Sequence, residues 1–166
     1  LYARRQRQMC IRDSYQRGNY ATLNPLDKSS GLTLSNGNLQ LSTSSGNNNF
    51  EHARSTIGVT TGKWYCEFKT TNGRFSAGVA TSNSDILDRA MGDVAGSFGI
   101  ASDGSNVIKQ GFPASSHSNL GSTYVFATGD ICGIAFDADN GTLDFYNNGV
   151  LISGASYTGL STSDTY

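Results

Sequence analysis

Five two-residue turn signals, Asn36-Gly37, Asn72-Gly73, Asp103-Gly104, Asn140-Gly141 and Asn148-Gly149, divide most of this chain into short runs of alternating apolar and polar side chains. Asn-Gly and Asp-Gly supply the two positive φ angles of a type I′ turn, whose twist matches that of the strands it joins. A side-chain period of two belongs to strands, and no long segment carries helical spacing. A chain written this way is all-β, with antiparallel strands and at least one sheet face that must be covered.

The runs are specific enough to predict pairings. In LTLSNGNLQLS a two-residue turn sets Leu34 opposite Leu39 and Leu32 opposite Leu41, with all four leucines on one side. In GKWYCEFKTTNGRFSAGVATS the same device pairs Thr70 with Phe75, Phe68 with Ala77 and Cys66 with Val79. Trp64, Cys66 and Phe68 then form a core-like row against Tyr65, Glu67 and Lys69. Ala77 and Gly78 opposite large rings point to close approach of another layer. NSDILDRAMGDVAG is the one stretch with room for a short helical turn, capped by Ser84 or Asp85. SFGIASDGSNVIKQG reads as strand, turn and strand, and FPASSHSNLGS as loop. TYVFATGDICGIAF resumes the alternation with Cys132, Ile134 and Phe136 on one face. Both faces of such sheets carry enough apolar residues to need cover, which predicts an antiparallel two-sheet sandwich.

At 166 residues and 37% hydrophobic content the chain suits one globular domain. No run approaches the roughly 18 apolar residues of a membrane span, and no secretory signal pattern is present, so localisation is unread. The opening LYARRQRQMCIRDS differs in composition from the rest. RRQRQMCIRDS, Arg4 to Ser14, resembles the translation of a transposase-type sequencing adapter ending ATG TGT ATA AGA GAC AG, and residues 1–14 are set aside as an artefact. The competing reading is a basic arm for nucleic acid. Removing Arg4, Arg5, Arg7 and Arg12 with only Asp13 from 12 basic and 13 acidic residues leaves 8 and 12, a net charge 4 below zero. That balance argues against a nucleic-acid partner, which needs a basic face. Cys66 and Cys132 remain, each in an alternating apolar run. Buried free thiols are the reading, with a bridge left open should their strands stack.

The acidic stretch GDICGIAFDADNGTLDFYNNGVLISGA invites a calcium reading at Asp137, Asp139 and Asp144. It fails in detail: Gly141 stands at the third ligand position, the glycine falls one place early, and Asn148 occupies the twelfth position, where Glu is required. A pair of glycosidase carboxylates would need a cleft lined with aromatics, whereas these acids crowd tight turns that favour Asp and Asn for local backbone hydrogen bonds. Asn140-Gly141 turns one hairpin, and Asn148-Gly149 turns the next. A two-residue loop sets Phe136 opposite Phe145, a three-residue loop shifts the pairing by one, and the register stays open. His52 and His117 read as solvated loop histidines, with no nucleophile elbow, zinc-protease or phosphate-loop motif beside them. Asn140-Gly-Thr is a formal glycosylation sequon, relevant only in a secreted eukaryotic protein. Neither a cofactor nor a metal site is expected.

With the strands placed, GKWYCEF (Gly62 to Phe68), FSAGVATS (Phe75 to Ser82), GSFGIASDG (Gly96 to Gly104) and above all GDICGIAFDADNGTLDFYNNGV (Gly129 to Val150) resemble the SPRY (B30.2-related) family in order and spacing. The resemblance covers about Asn49 to Leu160. NYATLNPLDKSSGLTLSNGNLQLS ahead of it is similar to what precedes SPRY modules in bacteriophage structural proteins. The resemblance implies a concanavalin-like sandwich, an extension with a first hairpin over 15–48 and a SPRY domain over 49–166. Because the chain stops at STSDTY, one or two closing strands are expected to be missing, leaving an unpaired edge or an uncovered apolar strip. The family implies non-catalytic binding through loops at one rim. Candidate contact loops are Asn83 to Met91, with Asp85, Ile86, Leu87, Asp88 and Arg89, and Asn106 to Asn119, with Lys109, Phe112 and His117. A small satellite core is the alternative for Ile86 and Leu87. Arg54 sits where some family members contact a peptide. The expected partner is a protein segment or surface glycan, with homo-oligomers in a virion assembly if the phage reading holds. The competing classes are a carbohydrate-active enzyme and an architectural fibre module.

Overall fold

A computed structural model describes residues 20–43, 51–111 and 117–166, and the described residues contain strands and turns but no helix. The strands are β1 (Leu23–Lys28), β2 (Leu32–Ser35), β3 (Gln40–Thr43), β4 (Ala53–Ser55), β5 (Lys63–Lys69), β6 (Arg74–Ala80), β7 (Ser97–Asp103), β8 (Val107–Gly111), β9 (Ser118–Asn119), β10 (Ile131–Asp137), β11 (Thr142–Asn147) and β12 (Val150–Leu151). One four-stranded sheet has the order β12-β11-β10-β5 and the other β6-β7-β8-β9, while β1-β4 and β2-β3 form two ribbons. Every pairing is antiparallel.

The alternation dictates which side chains meet between the sheets. Cys132, Ile134 and Phe136 of β10 and Leu143 and Phe145 of β11 are buried, and Ile100 and Val107 join them from β7 and β8. Burying an aliphatic or aromatic side chain of this size stabilises the fold by about 1.5–3 kcal/mol. Two aromatics from connecting segments close the ends of this core. Phe126 stands edge-on to Phe75, which stands edge-on to Phe68, each pair with centroids 4.8 Å apart. The Tyr157 hydroxyl donates to the Gly99 carbonyl at 2.7 Å. Burial pushes its ionisation upward.

Several expected pairings are corrected. The first hairpin pairs Leu34 with Leu41 and Leu32 with Thr43, a shift of two, because Asn36, Gly37 and Asn38 all take positive φ in a four-residue turn. Leu39 falls in that turn and is exposed. β5 and β6 do not pair: β5 pairs with β10 and β6 with β7, so Thr70 to Gly73 crosses between sheets. The Thr70 hydroxyl accepts the Gly73 amide at 2.7 Å, and a side chain at Gly73 would strike the Phe126 carbonyl. The close approach expected at Gly78 is real but lies within the sheet, opposite Gly99 of β7. In the acidic stretch Phe136 faces Leu143 and Ile134 faces Phe145 across a four-residue loop from Ala138 to Gly141, a shift of two that keeps every side chain on its face. The Asn148-Gly149 turn has two residues, both with positive φ, as expected. No helical turn forms over 83–94; the segment is a series of tight turns.

The row of β5 is corrected too. Trp64 shares the inward face with Phe136, its pairing partner, yet is 48% exposed, because β5 is the last strand of its sheet. Cys66 and Cys132 are both free, the first exposed and the second buried. They sit diagonally across β5 and β10, Cys66 opposite Ile134 and Cys132 opposite Phe68. Burial pushes the Cys132 thiol up to about 12, so it stays protonated.

Candidate functional site

The sixteen-residue connection from Thr81 to Gly96 lies over the outer face of the second sheet and is held from three sides. Its floor is made by glycines: Gly78 and Gly99 leave the face flat, and the buried Met91 packs against Gly99. Ile86 and Ala90 are buried with it. From β4, Arg54 donates through Nη1 to the carbonyls of Thr81 and Ser82 at 3.1 and 3.2 Å, and through Nη2 to the carbonyl of Ser84. Its Nε lies 3.5 Å from the Asp27 carboxylate of β1, an ion pair beyond hydrogen-bond reach. His52, next to β4, holds the Arg89 carbonyl through Nε2 at 2.9 Å. The Thr81 and Ser84 hydroxyls bond each other at 2.7 Å, and Ser97 Oγ accepts the Gly92 amide at 2.8 Å.

This clamping leaves a crest in solvent. Asp85, Asp88 and Arg89 are exposed and Leu87 is half-buried, with Asp88 in the left-handed region at φ 60. Ile86 belongs to the satellite core, as the alternative reading had it. Arg54 directs its guanidinium inward at the loop, with a side-chain exposure of 18%. His117 is half-buried beside Gly92, where an added Cβ would come within 2.5 Å of its Nε2. The structure thus sets Arg54 under the start of the loop that carries Asp85 to Arg89, and His117 against Gly92 farther along it. Lys109 is not with them. It is on the inward face of β8, over the Tyr157 ring at 4.3 Å and donating to the Ser156 carbonyl, and burial lowers its pKa. Phe112 lies outside the described residues, as do residues 1–14.

His52 was missed as a site residue. It is buried rather than solvated, and burial lowers its pKa against the opposing pull of the Arg89 carbonyl and Asp88. Its sequence neighbours, Glu51 and Ala53, give no alternation to reveal this.

The acids of the Gly129–Ala155 stretch serve turns. Asp137 accepts the backbone amide and side-chain amide of Asn140 at 3.1 and 2.8 Å and pairs with Lys63 at 3.1 Å. The Asn140 side chain, then Lys63, holds its carboxyl below the usual range. Asp139 accepts the Gly62 amide at 2.9 Å, and Asp144 accepts the Ser156 hydroxyl. Asp130 accepts from the Ala127 amide and the Asn148 side chain. Among the described residues no three His, Cys, Asp or Glu side chains gather closely enough to hold a metal ion.

Comparison with known proteins places this geometry. Residues 63–165 match the family model described as the SPRY domain. The crystal structure of the TRIM65 PSpry domain is similar with a TM-score of 0.69 at 15% identity, over 94% of this chain and 86% of that one. The stonustoxin structure is similar with a TM-score of 0.64 at 21% identity, over 88% of this chain and 24% of that one. Both likenesses are of fold. No curated protein sequence matches the chain.

Proposed function

The chain belongs to the SPRY family of protein-interaction modules, generally non-catalytic, and from that premise we propose that it binds a protein segment at the crest of the Thr81–Gly96 loop. The observation that carries this reading is the clamp. Arg54 and His52 hold the loop backbone from below, so Asp85, Asp88 and Arg89 are presented in fixed positions with little ordering left to do on binding. Two carboxylates and one guanidinium in a short crest suit a segment bearing cationic side chains beside an acceptor.

Selection of peptides from a random display library against the chain tests this. Selected peptides rich in Lys or Arg that lose binding to a variant carrying Asp85→Ala, Asp88→Ala and Arg89→Ala support it. Equal binding to that variant overturns it.

A surface glycan is the second reading, favoured by the outer face of the first sheet. There the 56% exposed Tyr65 ring lies over Gly133, beside Tyr146 at 6.4 Å. A glycan array probed with the chain and with Tyr65→Ala tests it. The Ser, Thr, Asn and Gly richness supports placement in a phage virion protein, as a recognition or architectural module of a tail or capsid; the genomic neighbourhood of the gene tests that.

A further inference from the structure

Four of the five turn dipeptides that organise this chain are Asn-Gly, a pair with chemistry of its own. The glycine amide nitrogen, unshielded by a side chain, can attack the asparagine Cγ and close a succinimide ring. Attack needs both partners free and brought together, so the fold decides where it happens.

Four of the five sites are restrained. The Gly73 amide donates to the Thr70 hydroxyl at 2.7 Å, and Asn72 Oδ1 accepts the Arg74 amide at 3.0 Å. The Asn140 side chain donates to Asp137 at 2.8 Å, and Gly141 is buried against the Leu160 backbone. Asn148-Gly149 is open to solvent, yet both ends of the Asn148 side chain are held, Oδ1 by the Ile131 amide at 3.0 Å and Nδ2 by Asp130 at 2.9 Å. At Asp103-Gly104 the Ser105 and Asn106 amides hold the carboxyl below its usual range, and an ionised carboxylate is a poor electrophile.

Asn36-Gly37 has none of these restraints. Both residues are exposed, and among the described residues no hydrogen bond reaches the Asn36 side chain or the Gly37 amide. A Cβ at Gly37 would meet nothing within 4 Å. Asn36, Gly37 and Asn38 are consecutive left-handed residues at φ 53, 64 and 63, a conformation that asparagine holds at some cost. β3 beyond them is exposed along its whole length, so little packing opposes a local opening of the turn.

We propose that Asn36 is a modification site of this chain, deamidating through a succinimide ahead of the other three Asn-Gly pairs. Solvent base takes the Gly37 amide proton, the nitrogen bonds to Asn36 Cγ, and the Cγ–Nδ2 bond breaks as ammonia leaves. Water then opens the ring at either carbonyl, to aspartate or to isoaspartate, and the site gains one negative charge. In isoaspartate the main chain runs through Cγ. The α-carbonyl that accepts the Leu39 amide at 3.2 Å becomes a carboxylate off the main chain. The added methylene displaces Asn38, whose carbonyl holds the Leu23 amide at 2.9 Å, so the join between β1 and the first ribbon loosens.

Asn36 and Asn148 form an internal comparison, alike in dipeptide, positive φ and exposed glycine, and different in their tethers. The whole chain is incubated in mildly alkaline buffer, folded and in guanidinium chloride, and the four asparagines are followed by peptide mapping with mass spectrometry. In the folded chain Asn36 is expected to convert about tenfold or more faster than Asn148, since two hydrogen bonds must break before Asn148 can react. In the unfolded chain the four rates should converge. Asp130→Ala, with an unchanged far-UV spectrum, should speed Asn148 toward Asn36 and leave Asn36 as it was. Conversion of Asn140 or Asn148 as fast as Asn36 in the folded chain overturns the proposal, as does an Asn148 rate unmoved by Asp130→Ala. The same preference for Asn36 in the unfolded chain also overturns it, because flanking sequence would then be the cause.

Discussion

His52 bonds the Arg89 carbonyl through Nε2, and because a carbonyl only accepts, that nitrogen carries the proton of a neutral ring. Burial lowers its pKa below the ordinary 6.5, so the unfolded chain takes up a proton at a higher pH than the folded one. Stability from this site is fully present above pH 6.5 and is lost as pH falls from there through the lowered folded value. The melting temperature should therefore decline between about pH 7 and pH 5, and His52→Gln should flatten that decline in a calorimetric series. Arg54 acts from the same strand region. Arg54→Lys keeps the charge but cannot reach three carbonyls from one planar fork, and should cost about 1–3 kcal/mol in urea unfolding while weakening crest binding. A tenfold drop in peptide affinity with no stability change would instead make Arg54 a direct contact.

At the scale of elements, the Asn-Gly turns explain both the successes and the misplaced registers. Asn148-Gly149 adopts two positive φ angles, and the Asn148 side chain also accepts the Ile131 amide and donates to Asp130, tying β11-β12 to the start of β10. Asn148→Ala loses the favoured backbone and both side-chain bonds, and should cost about 1–3 kcal/mol. Asn36-Gly37 and Asn140-Gly141 look the same in sequence, yet each sits in a four-residue loop. In the second, Asp137 caps the loop from its first strand and Ala138 is buried, which draws Ala138 and Asp139 out of that strand. Because both shifts are by two, the facial alternation survives, and the row of Cys132, Ile134 and Phe136 is buried, whereas Leu39, Leu41, Trp64 and Cys66 of the other two rows are exposed. Gly78 shows the opposite sensitivity. A Cβ there would lie 2.0 Å from the Phe98 carbonyl oxygen, backbone that cannot rotate away, so Gly78→Ala should destabilise by about 3 kcal/mol or more and read out as a lowered urea midpoint.

For the whole molecule the apolar side chains exposed at both ends of the first sheet matter most. Trp64, Tyr65 and Ile131 are exposed along the β5 end of the first sheet, and Val150 and Leu151 along the β12 end. Apolar edges of this kind promote association. Trp64→Thr keeps strand propensity while removing the largest exposed ring, and should raise the protein concentration at which the chain associates in sedimentation velocity, at little cost in melting temperature. A large loss of stability would mean that Trp64 contributes more to the core than its exposure implies.

What the sequence determined by itself was the class of the fold and the faces of its strands. Alternation with period two admits only pleated layers, and the same rows of Cys132, Ile134 and Phe136 are buried whichever loop length is chosen. The family was legible for the same reason, since its motifs are strands and turns in a set order. What only the tertiary structure decided was which strands pair and which residues reach across the chain. A turn dipeptide cannot say whether its strands return to each other or part into two sheets, and here Thr70 to Gly73 parts them, with the Thr70 amide on the Asp130 carbonyl and Gly73 against the Phe126 carbonyl, both far along the chain. Nor could local spacing show that Arg54 and His52 would support a loop some thirty residues away, or that Trp64, set in a core-like row, would stand at an edge with one side open.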